Sequence, residues 1–343
     1  MLRLFRLALF TLVAAFILLA AGTYFLVQRF EAPGPAISDV RVLIPLGTGV
    51  GGIARMLGEA GVVKDPQIFD LGVRIFGRGR VLKAGEYIFA ARTSARQAVE
   101  LMIAGRTVVH RLTVPEGLTT AEILALVAGA EGLQGDLPSA PEAPEEGTLL
   151  PETYFYSWGD TRASTLARMQ AEMRRTVDEL WSARLAALPF AAPRDAVTLA
   201  SIVEKETAVA AERPRIAGVL LNRLKKGMPL QSDPTVVYAL TRGNGPLDRP
   251  LTRVDLATVS PYNTYLNIGL PPGPIANPGR ESLLAVMQPL QTKELYFVAD
   301  GSGGHAFAET LGEHKRNVAK WRQIEATQGS APAPASQPAA AAP

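Results

Sequence analysis

Residues 199–207 read Leu-Ala-Ser-Ile-Val-Glu-Lys-Glu-Thr and place two carboxylates two positions apart, at the end of an apolar, helix-forming segment. Residues two apart on an α-helix point about 200° away from each other, so Glu204 and Glu206 cannot both face the same solvent. Glutamates of soluble helices normally lie on the wet face. One of the two is therefore expected to point into a cleft or core, where burial raises the pKa of a carboxyl group and suits it to act as a general acid.

The helical neighbours of the two glutamates differ in size. Positions three, four or seven residues from Glu204 are mostly small: Val197, Ala200, Ser201, Thr207 and Ala208. Those around Glu206 are bulkier and typical of a core: Leu199, Ile202, Val203, Val209 and Ala210. The pattern favours a ligand-accessible, catalytic Glu204 and a structural Glu206. The alternative is that both belong to surface ion pairs, with three candidate partners: Lys205, Arg213 and Arg215.

Composition excludes several classes of function. A chain of 343 residues is long enough for two or three domains besides a membrane segment. A net charge of +3, without a Lys/Arg-rich run, argues against nucleic acid as a partner. The chain has no cysteine, which excludes disulfides, thiolate metal sites and a cysteine nucleophile. His305 and His314 are nine positions apart, which is not a metal-ligand spacing, so we expect neither a metal nor a cofactor.

The N-terminus carries a segment that could cross a membrane. Residues 7–27 are uncharged and apolar, and about 20 such residues span the hydrocarbon core as a helix. Because Arg3 and Arg6 precede this segment, we expect residues 1–6 in the cytoplasm and the body of the protein on the other side. The alternative is a cleaved signal peptide, but the apolar run continues past the small residues of a possible cleavage site at 19–22.

The remaining sequence predicts an α+β protein. A strand–helix–helix–strand pattern over residues 39–89 indicates a small module. The predicted parts are a linker (28–38), the small module (39–92), a connecting α/β segment with an acidic loop (93–148), a main domain (149–326) and a disordered Ala/Pro tail (327–343). Between residues 228 and 280 the chain is rich in Pro, Gly, Asn and Tyr, and structureless stretches of that length usually carry function.

Gly47 to Gly52 matches the glycine pattern of dinucleotide-binding loops. Pro45 interrupts the end of the preceding strand, and no second strand ending in an acid follows about 20 residues later. We therefore interpret the run as a glycine-rich turn into a helix.

Candidate recognition residues lie in two clusters of the loop region. One cluster spans residues 230–238 and the other is Tyr262-Asn263-Thr264-Tyr265. Aromatic rings beside amides and carboxylates suit sugars, which present apolar faces and hydroxyl edges, although Asp-Pro and Tyr-Asn are also common in turns. The residues selected as substrate-binding candidates are Gln231, Asp233, Thr235, Tyr262, Asn263 and Tyr265, with Glu152 as a further carboxylate.

In combination, these motifs resemble the YceG-like (MltG) endolytic murein transglycosylases of bacteria. The resemblance extends from the N-terminal helix to about residue 325. It is carried by five runs: 200–207 (ASIVEKET), 230–235 (LQSDPT), 262–265 (YNTY), 269–279 (GLPPGPIANPG) and 300–307 (DGSGGHAF). The family generally has Phe-Pro-Asp-Thr-Tyr where residues 150–154 read Leu-Pro-Glu-Thr-Tyr, so the reach of the carboxylate differs at Glu152.

The resemblance implies a specific activity. A lytic transglycosylase cleaves the β-1,4 bond between MurNAc and GlcNAc without water, because the C6 hydroxyl of the muramic acid attacks the anomeric carbon and forms a 1,6-anhydro end. One glutamate can then serve as acid and base, a role that falls on Glu204 by the family pattern, whereas ordinary glycosidases need two carboxylates. The family's N-terminal module resembles LysM, a peptidoglycan-binding βααβ unit.

The implied setting is the bacterial inner membrane, with one N-terminal helix and the catalytic body in the periplasm. The expected partners are nascent glycan strands, whose elongation the enzyme would terminate, and peptidoglycan synthases of the elongation or division machinery. Two alternatives stay open: a non-enzymatic peptidoglycan-binding scaffold and a muramidase-type hydrolase.

Overall fold

The structure, a computed structural model, describes residues 2–76, 81–139 and 141–327 of the chain. It is a mixed α+β protein, as the sequence predicts. Its elements are α1 (Leu2–Glu31), β1 (Val40–Ile44), α2 (Val50–Glu59), α3 (Pro66–Phe76), β2 (Gly85–Phe89), α4 (Ala95–Ala104), β3 (Val109–Thr113), α5 (Thr120–Gly129), β4 (Thr153–Ser157), α6 (Arg162–Ser182), α7 (Pro193–Glu206), α8 (Arg213–Lys225), α9 (Asp233–Thr241), α10 (Arg280–Met287), β5 (Tyr296–Ala299), β6 (His305–Ala308) and α11 (Leu311–Thr327). The predicted tail, 327–343, lies outside the described residues except for Thr327, the last residue of α11.

The chain folds into two compact units, and each unit is built from three separate segments of the sequence. Unit 1 consists of Met1–His110, Glu131–Gln134 and Phe155–Asp160. Unit 2 consists of Arg111–Ala130, Gly135–Tyr154 and Thr161–Pro343. The chain passes from one unit to the other within β3 and again within β4, two strands that pair with each other.

Unit 1 contains the strand–helix–helix–strand order expected from the sequence, as β1, α2, α3 and β2. The two strands pair antiparallel, with Val40 opposite Phe89 and Ile44 opposite Gly85. The glycine-rich run enters α2 through a turn in which Gly47 has a φ of 81°, a conformation that favours glycine. The next helix, α4, starts with a capping box in which the Ser94 side chain accepts a hydrogen bond from the backbone N–H of Gln97.

The N-terminal helix α1 is apolar and its last turn enters the core of unit 1. An 18-residue window within Phe5–Glu31 has a mean hydropathy of 2.3, so by length and composition this helix could cross a membrane. Leu26 and Phe30, near its end, are buried. The Phe30 ring lies so close to α3 that a Cβ atom on Gly72 would be 2.4 Å from it. Glycine at position 72 therefore allows the last turn of α1 to pack against α3.

Unit 2 is organised around α7, the helix that ends with the two glutamates. Every residue from Ala196 to Val203 is buried, because α6, α8 and α10 all pack against this helix. Asp195 starts the helix by accepting hydrogen bonds from the backbone N–H groups of Ala191 and Ala192. The comparison of helical neighbours in the sequence assumed a helix that continues past Thr207, whereas it ends at Glu206. The acidic pair therefore occupies its last turn.

The region expected to lack structure contains a helix. Residues 233–241 form α9, which begins at Asp233-Pro234, a favourable start because proline has no N–H to leave unpaired there. Nine residues are too few for a clear helical period, which is why the sequence pattern missed it. After α10, strands β5 and β6 pair antiparallel and pack against α11.

Candidate active site

The Glu204 carboxylate is held by hydrogen-bond donors. Its Oε1 atom lies 3.1 Å from Nη2 of Arg213, and its Oε2 atom accepts a hydrogen bond of 2.9 Å from the backbone N–H of Gly279. Only 5% of the Glu204 side chain is exposed. An arginine and a backbone N–H can only donate, so both partners bind the ionised form of this carboxylate.

Arg213 also contacts a second carboxylate. Its Nη2 atom lies 3.0 Å from Oε2 of Glu116, and its own side chain is 10% exposed. A Cβ atom at position 279 would lie 1.9 Å from Oε1 of Glu116, so glycine is required for the backbone there to reach Glu204. These contacts form one cluster, which we call the arginine cluster, with the members Glu116, Glu204, Arg213 and Gly279. The cluster joins three distant segments of unit 2.

Glu206 has a different set of neighbours. The hydroxyl of Ser232 donates a hydrogen bond of 2.5 Å to Oε1 of Glu206. Burial raises the pKa of the Glu206 carboxyl to about 7, and the negative charge of Asp233 adds to the rise. The Ser232 hydrogen bond and the positive charges of His305 and Arg223 act in the opposite direction. At neutral pH this carboxyl is therefore protonated in a large fraction of molecules.

Three of the predicted recognition residues surround Glu206. Asp233 is exposed at the start of α9 and accepts a hydrogen bond of 2.5 Å from the hydroxyl of Tyr265. Gln231 is exposed, and its side-chain oxygen lies 3.3 Å from Nη1 of Arg223. Its backbone is left-handed, with a φ of 53°, which costs about 1–2 kcal/mol for a residue other than glycine. Strained residues of this kind often occur at binding sites, so Gln231 fits a role in recognition.

Two other candidates are buried and hold backbone. Thr235 and Asn263 are both fully buried. The Thr235 hydroxyl donates to the carbonyl of Ser232, and the Asn263 amide donates to the carbonyls of Leu256 and Thr258. These two side chains hold the loops that carry Ser232 and Tyr265, and their direct contact with a substrate stays a prediction.

Tyr262 lies in a second aromatic group. Its ring centroid is 4.8 Å from that of Tyr238, and both rings are partly exposed. The Tyr238 hydroxyl donates a hydrogen bond of 3.4 Å to Glu146. Burial raises the pKa of Glu146, and the backbone N–H of Thr120 opposes this rise. The two rings offer apolar faces against which a sugar could stack.

Glu152 is not part of either cluster. It is exposed immediately before β4, and its carbonyl accepts a hydrogen bond of 3.0 Å from the backbone N–H of Val114. Within the described residues, no hydrogen bond or ion pair links its carboxylate to Glu204 or Glu206. Its proposed substrate contact stays a prediction.

Several residues of the site were not selected from the sequence. Glu116 and Gly279 were not selected because their contacts join distant positions: Gly279 lies 75 residues from Glu204, and Glu116 lies 97 residues from Arg213. Arg213 was considered only as a surface ion-pair partner, yet its side chain is nearly buried. Ser232 lies inside the quoted run at 230–235, and its position just before the helix start at Asp233-Pro234 could have drawn attention to it.

Comparison with known proteins decides the family. Residues 42–320 match the model of the YceG-like family. The chain belongs to this family. The YceG-like chain is 31% identical, over 312 residues, to the endolytic murein transglycosylase of Bacillus subtilis, and the match covers 83% of this chain and 85% of that protein.

Two further relatives extend the comparison. The endolytic murein transglycosylase of Streptococcus pneumoniae serotype 2 is 30% identical over 353 residues, a match that covers 88% of the YceG-like chain and 63% of that protein. The crystal structure of a putative YceG-like protein from Listeria monocytogenes has 30% sequence identity and a TM-score of 0.49, and the match covers 81% of this chain and 98% of that one.

Proposed function

We propose that the protein is an endolytic peptidoglycan lytic transglycosylase, which cuts glycan strands between MurNAc and GlcNAc and leaves 1,6-anhydro-MurNAc ends. The observation that carries the proposal is the Glu206 carboxyl, whose pKa of about 7 suits a general acid at neutral pH. Its surroundings, an exposed carboxylate and a tyrosine hydroxyl, fit a sugar ligand. The names of relatives that are about 30% identical over most of the chain support the same activity.

The contacts of Glu204 and Glu206 differ, and the difference affects which of the two could be the general acid. The family pattern assigns this role to Glu204, and that assignment stays a prediction. Glu204 is engaged by Arg213 and by the backbone N–H of Gly279, two donors that favour the charged form of a carboxylate. The contacts therefore favour Glu206, with Asp233 and Tyr265 beside it to orient the glycan.

The chemistry requires little else from the protein. As the glycosidic bond breaks, the Glu206 proton moves to the departing O4 of GlcNAc and the C6 hydroxyl of MurNAc attacks C1. The carboxylate left at Glu206 then takes up the proton of that hydroxyl. Because the nucleophile belongs to the substrate, it is already close to the reacting carbon, and intramolecular attack gains strongly from this proximity. No site for an activated water is needed, unlike in hydrolases with two carboxylates.

A paired substitution tests the function and the choice of acid together. Glu206→Gln and Glu204→Gln keep the side-chain shape, and each purified protein would be incubated with glycan strands whose new ends are identified by mass spectrometry. We expect anhydro ends from the wild type, a loss of about 10²–10⁴-fold in rate for Glu206→Gln, and a smaller loss for Glu204→Gln. A larger loss of rate in Glu204→Gln than in Glu206→Gln would instead indicate that Glu204 is the general acid. New reducing ends would indicate a hydrolase, and binding without cleavage would indicate a scaffold.

We also propose that α1 anchors the enzyme in the inner membrane, with its body in the periplasm. The helix is long and apolar enough to span the bilayer, and the only charges before its apolar run are positive. A peptidoglycan-binding, LysM-like role for the β1–α2–α3–β2 module agrees with the order of its elements. Protease treatment of spheroplasts that contain the full chain tests the orientation: digestion of the body from outside is expected, and its protection would overturn the assignment.

A further inference from the structure

A cavity of about 350 Å³ lies in unit 1, at the point where α1 ends. One wall comes from the end of α1 and the linker after it, with Arg29 and Ala32. The opposite walls come from the segment between α2 and α3, with Lys64 and Asp65, and from Ala95 at the start of α4. Sites for small ligands usually have volumes of about 300–1,000 Å³, so this cavity is large enough to hold one. None of its lining residues belongs to either glutamate site.

The linker wall of this cavity is fixed by a close backbone approach at Gly34. The N–H of Gly34 donates a hydrogen bond of 3.2 Å to the carbonyl of Arg92. A Cβ atom at position 34 would lie 2.3 Å from the carbonyl oxygen of Val62 and 2.4 Å from that of Thr93. Only glycine therefore lets the linker pass between these two segments. The walls of the cavity are held by the fold of unit 1 and do not depend on a loose loop.

The charged residues that line the cavity are two cations, Arg29 and Lys64, and one acid, Asp65, so its net charge is +1. Within the residues that the structure describes, neither cation forms an ion pair. Glu31, the acid nearest to Arg29 along the chain, is already paired with Arg96 at 2.8 Å. The Asp65 carboxylate accepts hydrogen bonds from two backbone N–H groups at the start of α3. Two cations are therefore available to an anion that enters the cavity.

The position of the cavity along α1 places it at the membrane surface. Arg29 follows the apolar segment 7–27 by two residues, which is about 3 Å along the helix axis. The headgroup layer on each side of the hydrocarbon core is about 5–7 Å thick, so Arg29 lies at its level. Its guanidinium carbon lies 5.1 Å from the centre of the Phe25 ring. Since Leu26 and Phe30 are buried in unit 1, this unit begins at the same level.

We propose that this cavity binds the phosphate group of a membrane phospholipid, with Arg29 and Lys64 as its partners. The inference rests on the proposed anchoring of α1 in a membrane, and it does not depend on which glutamate is the acid. A guanidinium donates two parallel hydrogen bonds to phosphate oxygens, and an ammonium adds a compact charge. The single negative charge of a phosphodiester balances the net charge of the cavity.

A lipid bound in this way would act as a clamp between unit 1 and the bilayer. Its headgroup would sit between α1, α3 and the start of α4, while its acyl chains stay in the membrane beside α1. The helix alone fixes only the distance of unit 1 from the bilayer. The headgroup adds a second point of attachment, which limits rotation and tilt of unit 1 at the membrane surface.

The test is native mass spectrometry of the full chain in dodecyl maltoside, a detergent without phosphate, titrated with phosphatidylglycerol. Diacylglycerol with the same acyl chains is the matched ligand without a phosphate, and we expect the wild type to retain only the phospholipid. Arg29→Gln and Lys64→Gln should each weaken its binding about fivefold, and the double variant about 25-fold. Arg55→Gln is the control, because Arg55 is an exposed cation of α2 that does not line the cavity. It should stay within about twofold of the wild type.

A variant that fills the cavity separates a site from a charged surface. Ile68 also lines the cavity, and Ile68→Trp reduces its volume without changing its charge. We expect this variant, once circular dichroism and thermal melting show that it is folded, to lose phosphatidylglycerol. Binding at the wild-type level by folded Ile68→Trp would overturn the proposal, and so would an equal loss in Arg55→Gln.

Two other results would also contradict the phosphate site. One is equal retention of diacylglycerol and phosphatidylglycerol, which would show that the acyl chains alone are bound. The other is displacement of the lipid by inorganic phosphate at the concentration of the lipid itself, which would indicate a site for a soluble anion. A chain found outside the membrane fraction of cells would refute the anchor instead. The release of anhydro ends is measured separately, so the proposed activity stands or fails on its own assay.

Discussion

Glu204 and Glu206 are two residues apart in the last turn of one helix, yet their environments are opposite. Glu204 belongs to the arginine cluster, where each contact comes from a donor that binds an anion. Glu206 has one hydroxyl partner, an anionic neighbour and enough burial to raise its pKa to about 7. The comparison shows that burial alone does not make a glutamate an acid. The charge of its partners decides whether the buried side chain is held in its ionised or its neutral form.

The largest expected effect comes from removing the positive charge that pairs with Glu204. Arg213→Met removes the cation and leaves a nearly buried carboxylate unpaired, which costs about 3–5 kcal/mol of unfolding free energy. Denaturant unfolding at neutral pH measures the loss. The control is Arg175→Met, because Arg175 pairs with Glu172 at the surface with 75% of its side chain exposed, and such pairs contribute about 0–1 kcal/mol. Equal losses in the two variants would show that the arginine cluster does not stabilise the fold.

A smaller effect is expected in how the unfolding free energy depends on pH, because of the Glu206 carboxyl. The folded protein holds the Glu206 proton up to a pH of about 7, whereas the unfolded chain releases it near pH 4.3. The stabilisation is therefore full below the unfolded pKa and is lost as the pH rises through the folded one, by at most ~4 kcal/mol. Glu206→Gln cannot ionise, so its unfolding free energy should fall less between pH 5 and pH 8. An unchanged slope in Glu206→Gln would contradict the assignment.

The smallest expected effect concerns the hydroxyl that orients Asp233. Tyr265→Phe removes the hydrogen bond to this carboxylate and keeps the ring, at a cost of about 1 kcal/mol, or roughly five- to tenfold in rate. The rate of anhydro-end formation measures it, with Tyr296→Phe as a control outside the Glu206 site. If both variants keep the wild-type rate, Tyr265 contributes only its ring.

Local patterns in the sequence predicted local features of the structure. The strand–helix–helix–strand order expected over residues 39–89 is found as β1, α2, α3 and β2. The helical spacing of Glu204 and Glu206 indicated that they face different surroundings, and they do. Which surroundings each one meets depends on segments far away in the chain. Glu204 meets Gly279 and Glu206 meets Ser232, and neither partner could be read from the turn that carries the glutamates.

Dependence on distant contacts also explains why the roles of the loop residues could not be predicted from the sequence. Asn263 looked like a recognition residue because an amide next to tyrosines suits a sugar, but its burial is a property of the folded loop. Its amide satisfies two backbone carbonyls that would otherwise be unpaired, a structural need that spacing does not reveal. The sequence pattern drew attention to this segment, and the structure separates its exposed side chains from the buried ones that hold its backbone.

The buried end of α1 has a practical consequence for where the N-terminus of this protein can be truncated. Hydropathy places the membrane segment at residues 7–27, which suggests that a soluble version could begin just after it. Phe30 lies in the hydrophobic core of unit 1 and Leu26 is also buried, so the folded domain starts inside the helix. A version that begins at Ala32 loses a core phenylalanine, a loss worth about 3–5 kcal/mol in typical proteins. Removing the anchor without harming the domain requires a cut before Leu26.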